Sequence, residues 1–294
     1  MRNLAEYIMR GRKQAILVAL LFSILPMFGW VAVVIMGLVT LRKGAKEGAI
    51  ILAWIILPSL VIALKGFPQL LIYDVIGGSI ATYGMAVMLR QTADWGKVLS
   101  MAAFVGLGVI IMLHLIFPDI NLLWNKELAV YFEYLRQHFK LDLTSQQAQL
   151  WAAKMSYIAT GVQLSLLLLG DTFNLILARW CQAKLYNPHG LQSELLNIRL
   201  GTPAVVVLLL TLLGCLFGNL ISIDAICLIL APFFIAGLSL FHSAVAIKKL
   251  SKVWIIIFYI LLILFFPYLA VITSAFALAD SWLNFRQRLV IKNQ

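Results

Sequence analysis

The chain has 294 residues, of which 63% are hydrophobic and only 12% charged, with a mean hydropathy of +0.97. Too few polar groups are present to cover a water-soluble domain of this size, so an integral membrane protein is expected, a single domain over 1–294 with the lipid bilayer as its solvent. The formal net charge of +11 does not point to nucleic acid, because the cations gather in short connectors between apolar runs, where they orient helices in a bilayer.

At the N-terminus Arg2, Arg10, Arg12 and Lys13 precede an apolar run too long for a signal-peptide core, with no small-x-small cleavage site, so the run is expected to stay in the mature protein. Nearly uncharged runs cover 14–41, 48–64, 70–89, 98–118, 156–178, 203–222, 224–247 and 253–279. Most approach the ~20 residues a helix needs to cross a ~30 Å hydrocarbon core. The first and last are longer, about 40 Å as straight helices, and each carries a central proline, Pro26 and Pro267. The expected fold is an all-α polytopic transmembrane helical bundle with 8–10 membrane segments, the upper figure applying if both long runs fold back.

The basic islands decide the threading. Arg90 and Lys97, then Arg179, Lys184 and Arg199, then Lys248, Lys249 and Lys252 are each separated by two spans, so all fall on the cytoplasmic side by the positive-inside rule. The cluster "RKGAKEG" from Arg42 lies two spans earlier and joins them. The N-terminal cations share that side only if 14–41 crosses twice as a tight hairpin turning near Pro26 to Gly29; the competing picture is one kinked span. The side of the C-terminus stays open: Arg286, Arg288 and Lys292 reach the cytoplasm only if 253–279 turns back at Pro267.

Residues 119–155 carry balanced charge and are expected as an extracytoplasmic amphipathic helical insertion, with Leu128, Phe132, Leu135 and Phe139 forming one apolar stripe. Thr144 and Gln147 have capping-box spacing, opening a helix that continues toward 156. Residues 179–202 form a cytoplasmic connector in which "NPHG" is a turn and "LQSELLNIRL" an interfacial helix.

Two resemblances overlay this reading. "QAILVALLFSILP" followed by "GLVTLRKGAKEGAIILAWIILP" resembles the opening helices of S-components, the substrate-binding subunits of energy-coupling-factor vitamin transporters. Over the full length, "LAEYIMRGRKQA", "LARWCQAKLYNPHG" and "DSWLNFRQR" are similar to the YybS-like family of uncharacterised bacterial membrane proteins, distantly similar to the same fold. The resemblance implies an S-component-like core in a bacterial inner membrane, and a helix-docking face at Ala15 and Ala19 for a coupling subunit. Generic helix packing is the other reading of those alanines. The family's vitamin-binding residues have no counterpart here, and the spans after 178 exceed the six-helix plan.

Ionisable groups at membrane depth are functional candidates by default. Asp171 and Asn174 share a face of the run ending at Arg179, and His242 lies six residues before Lys248, so the three are expected to form a polar pocket. The alternative is that Asp171 and Asn174 pin neighbouring helices. Asp280 and Arg286 are a candidate tail ion pair, Lys65 and Asp74 interfacial anchors, and His114 a solvated interfacial residue. Gly77, Ala81 and Gly84, and the "GCLFG" of Gly214 and Gly218, read as close-packing faces. Cys181, Cys215 and Cys227 lack C-x-x-C spacing and read as core residues. No metal, cofactor or enzymatic template is found: Ser239 and His242 share a turn but lack a third orienting group. The functions left open are a substrate-binding component of small-molecule transport and a MreD-like membrane scaffold of cell-envelope machinery, each with a partner membrane protein.

Overall fold

In hydrocarbon a backbone N–H or C=O finds no water, so each crossing segment must bond its own groups, and every regular element among the described residues is a helix. A computed structural model describes residues 2–25, 27–63, 69–139, 144–188 and 190–291. Pro26, Lys65, Lys140, Asp142, His189, Lys292 and the side chain of Asp74 lie outside the described residues. The helices are α1 (Arg2–Arg10), α2 (Arg12–Ile24), α3 (Gly29–Lys43), α4 (Ala45–Ala63), α5 (Gln69–Thr92), α6 (Trp95–Ile116), α7 (Ile120–Phe139) and α8 (Ser145–Met155). A 3₁₀ turn (Ser156–Ile158) leads into α9 (Ala159–Tyr186), then α10 (Gly190–Leu196), α11 (Thr202–Leu216), α12 (Leu220–Ile247), α13 (Val253–Leu264), α14 (Phe266–Leu283) and α15 (Phe285–Ile291). Among the described residues Trp95–Ile116, Ser145–Tyr186, Leu220–Ile247 and Phe266–Leu283 are long and apolar enough to cross a membrane, and the protein is an all-α, multi-pass membrane bundle.

The run 14–41 is a hairpin of two short helices. Arg12 Nε donates to Glu47 Oε2 at 2.9 Å, which places the start of α2 beside the start of α4 and so beside the end of α3. This ion pair holds the Glu47 carboxyl below its ordinary range, chiefly through the guanidinium hydrogen bond. At about 22 Å, α3 is shorter than a hydrocarbon core. It avoids that mismatch by burial: Ala32 through Leu41 are all buried, walled by α2, α4, α5 and α9.

The last long run also turns back. Phe258 of α13 stacks on Phe241 of α12 at 4.1 Å, while Phe266 meets Phe234 edge-on at 6.1 Å, so α13 climbs antiparallel to α12. The helix breaks at Phe265, and Pro267, which has no N–H to continue it, opens α14. α14 then descends beside α12, and Arg199 Nη2 donates to Ser281 O at 2.9 Å at its lower end. α13 is only ~18 Å long, and α13 and α14 begin and end at the same end of the bundle.

That end collects the basic islands and is called here the basic end. Arg90 Nη1 reaches Leu41 O at 3.0 Å, and Arg286 Nη2 reaches Ile198 O at 2.8 Å. Arg90 thereby caps a helix terminus whose carbonyls have no partner of their own. At the far end α7 and α8 form a helical hairpin with Leu128, Phe132 and Leu135 half-buried and Phe139 exposed. Glu133, bonded by Arg136 and Gln137, has its carboxyl lowered to about 2. The capping box is present: Gln147 N donates to Thr144 Oγ1 and Thr144 N to Gln147 Oε1. The 3₁₀ turn then interrupts the helix that the sequence runs straight into the span.

The small-residue readings divide. Gly77 and Gly84 would meet nothing within 4 Å if given a Cβ and, with Ala81, face outward. In "GCLFG" only Gly214 is a close-packing position, since a Cβ there would stand 2.1 Å from Ser222 Oγ of α12, whereas Gly218, at φ +70°, occupies the left-handed turn that ends α11.

In a cysteine-free background, single cysteines at Met27 and Leu216, both fully open, are expected to react with an impermeant maleimide from one side of the membrane, and cysteines at Lys46 and Lys249 from the other. Labelling of positions 27 and 46 from the same side would remove the hairpin.

Candidate functional site

Asp171 sits midway along α9 and His242 near the basic end of α12, and the structure does not bring them together. Because α9 continues past Arg179 to Tyr186, Asp171 lies about 22 Å above the end of its helix, whereas His242 lies about 8 Å above the end of α12. Arg179 does not end the helix, so the carboxyl lies deeper than the sequence predicts. Asp171, 5% exposed, accepts a 2.9 Å hydrogen bond at Oδ1 from Thr82 of α5. Gly78, one turn earlier on α5, leaves so little space that a Cβ there would stand 3.2 Å from the same oxygen. The carboxyl is closed in and ties α9 to α5; Asn174 is half-buried and outside this contact.

His242 instead turns toward α13, with Nε2 3.0 Å from Tyr259 Oη. Both line a cavity of 710 Å³ enclosed by α9, α10, α12 and α13 at the basic end. Its walls are mostly apolar, from Ile176, Leu191, Leu195, Ile235 and Leu238, while Trp180, Lys184 and Gln192 rim it. The Lys184 ammonium lies 4.2 Å over the Trp180 ring, a cation–π contact that holds the cation at the mouth. Ser239 also lines the cavity but donates to Leu195 O at 2.6 Å, so it is bound to α10 and not aligned as a nucleophile on His242.

The α10 wall is held by one carboxylate. Glu194 is bidentate to Arg179, with Nε to Oε2 at 3.1 Å, and also accepts from Trp95 Nε1 at 3.2 Å. Arg179 therefore serves as an internal clamp joining α9, α10 and α6 and not as a free interfacial cation.

A second buried polar cluster escaped the sequence reading. His114, expected to be solvated, has a side chain only 9% exposed, and its Nε2 lies 3.0 Å from Oδ2 of Asp224, itself 1% exposed. Asp224 Oδ1 accepts from Gly161 N at 2.8 Å, and Thr160 accepts from Trp124 Nε1 at 2.9 Å. Glycine is required at 161 because a Cβ would fall 1.7 Å from Asp224 O. The usable signal was depth: His114 is in the last turn of α6 and Asp224 in the second turn of α12, both at the far end. An aspartate near a helix start can equally be an ordinary dipole partner exposed to water, so the sequence alone does not single Asp224 out.

Ala15 and Ala19 are 1% and 0% exposed and pack in a cluster with Val33, Met36, Ile51 and Ile55. The face that the resemblance assigns to a coupling subunit is covered by the chain's own α3 and α4. Asp280 and Arg286 approach, Oδ2 to Nε, at 3.9 Å. Burial lowers the Arg286 pKa, opposed by Asp280 and reinforced by Arg199. Among the described residues no three His, Cys, Asp or Glu side chains are grouped to hold a metal ion. What the basic-end cavity can do chemically is enclose an apolar body while offering an imidazole, a phenol and an ammonium to its polar end. No protein-family model, curated protein or solved structure matches the chain.

Proposed function

We propose that the protein is the membrane-embedded binding component of a small-molecule transport system, taking an amphipathic ligand into the cavity between α9, α10, α12 and α13. The observation that carries this reading is the cavity: 710 Å³, apolar in its walls, with His242, Tyr259, Lys184 and Gln192 among its polar groups. That size and lining match small-molecule sites in general, which are mostly apolar with a few polar groups fixing orientation. The ligand has an apolar body and an anionic or hydrogen-bonding end, and enters from the basic, cytoplasmic end. No nucleotide-binding loop is present in the sequence, so energy comes from a partner membrane protein or from a gradient.

The MreD-like scaffold is the second reading, and the close packing around Asp171 favours it, since that carboxyl is buried, bonded to Thr82 and close against Gly78. Native mass spectrometry after mild detergent extraction separates the two. The wild type is expected to carry a small molecule, and Leu238→Trp, which fills the cavity, to reduce its occupancy at least tenfold without loss of folding. Asp171→Ala is expected to leave occupancy within about twofold, because the carboxyl lies outside the cavity. An empty wild-type protein bound to a stable protein partner decides for the scaffold.

A further inference from the structure

On the other flank of α10 a separate cavity of 570 Å³ opens at the basic end. Ser193 and Asn197 line it from α10 and the turn after it, Ser243 from α12, and Arg286 and Gln287 from α15; none of its described lining residues is acidic. Leu196 and Ser239 stand between this cavity and the one discussed above.

Arg286 is the unusual member. Its side chain is 10% exposed, and although Nη2 donates to Ile198 O at 2.8 Å and Ser239 Oγ at 3.2 Å, its buried Nε has no hydrogen-bond partner. Asp280 does not supply one: its Oδ2 stands 3.9 Å away, and its Oδ1 is taken by Phe285 N at 2.8 Å. Arg199 acts on Arg286 as a second positive charge and is bonded to a carbonyl, not to a carboxylate. Asp280, at 3.9 Å and without a hydrogen bond to Nε, matches the Arg286 charge only incompletely, and the guanidinium is mostly out of water. A buried charge without a matched counter-charge is costly, and a guanidinium fork matches the oxygens of a phosphate.

We propose that this cavity binds a phosphate-type anion, with Arg286 as the anchoring cation and the Ser243 hydroxyl and Gln287 amide as further donors. The cavity is much larger than a bare phosphate needs, and Leu196, Ala246 and Ile247 give it an apolar side, so the phosphate belongs to an organic ester. A glycerophospholipid headgroup from the adjacent leaflet and a soluble phosphate monoester share this chemistry.

The full-length protein in non-ionic detergent is tested with phosphatidylglycerol in mixed micelles, with glycerol 3-phosphate in solution, and with dioleoylglycerol as the phosphate-free control, by native mass spectrometry and thermal shift. One equivalent of a phosphate probe is expected to bind, at least tenfold more weakly in Arg286→Gln. Ser243→Leu, which narrows the cavity and leaves the contacts of Arg286 in place, is expected to weaken it similarly and serves where Arg286→Gln does not fold. Binding of phosphatidylglycerol alone identifies a lipid headgroup, and binding of glycerol 3-phosphate identifies a soluble ester. Failure of both probes to exceed dioleoylglycerol, or equal binding by wild type and Ser243→Leu, overturns the proposal.

Discussion

Asp224→Ala is expected to destabilise the folded protein by about 3–5 kcal/mol, the cost of breaking a buried pair by removing one partner. The loss falls on two groups at once: His114 keeps a buried imidazole whose Nε2 has lost its partner, and Gly161 N loses the oxygen 2.8 Å away. α6, α9 and α12 meet at this point, so the damage spreads through the far end of the bundle. Asp224→Asn keeps an acceptor for Gly161 and is expected to cost less, about 1–2 kcal/mol. Reversible denaturation in mixed detergent micelles measures both. In a double-mutant cycle, His114→Ala and Asp224→Ala should couple by at least about 1 kcal/mol; strictly additive effects would show that the two side chains do not act as a pair.

Glu194→Ala is the second large effect. The carboxylate joins Arg179 of α9 and Trp95 of α6 to α10, and its removal leaves a mostly buried guanidinium unpaired. A stability loss of about 2–3 kcal/mol is expected. The more telling consequence is on binding. α10 has only seven residues and cannot hold its conformation without tertiary support, yet it supplies Leu191, Gln192 and Leu195 to the cavity wall. Ligand retention in native mass spectrometry should fall at least tenfold. By contrast, Glu47→Ala, which removes the exposed pair with Arg12, should change neither stability nor retention measurably. Full retention in Glu194→Ala would mean that α10 does not form the wall of the ligand site.

Much of the architecture was legible in the chain, because solvation acts on each segment separately. Hydropathy identifies the apolar runs, and the basic islands require 14–41 to be a hairpin if Arg12 and "RKGAKEG" are to share a side. The Arg12 to Glu47 bond joins those same two places. The capping box at Thr144 and Gln147 is equally local, since its whole geometry lies within four residues. The C-terminal run was undecided, because Pro267 permits a kink as well as a reversal; the packing of Phe258 on Phe241, followed by the bond from Arg199 to Ser281, selects the reversal.

The candidate site was less legible. Asp171 and His242 were matched in depth by assuming that a cation ends a helix, but Glu194 neutralises Arg179 and lets α9 run seven residues further. Ala15 and Ala19 have the spacing of a docking face whether they meet another protein or, as here, the helices that follow them.

The sequence by itself determined that this is a membrane protein, where most of its apolar segments lie, and which connectors carry the cations, since the transfer of apolar and charged groups between water and lipid is a property of each segment alone. Only the tertiary structure decided which buried polar groups meet: Asp171 with Thr82, His114 with Asp224, His242 with Tyr259. Those pairings depend on the rotation and depth of each helix against its neighbours, and these are set by packing among residues far apart in the chain.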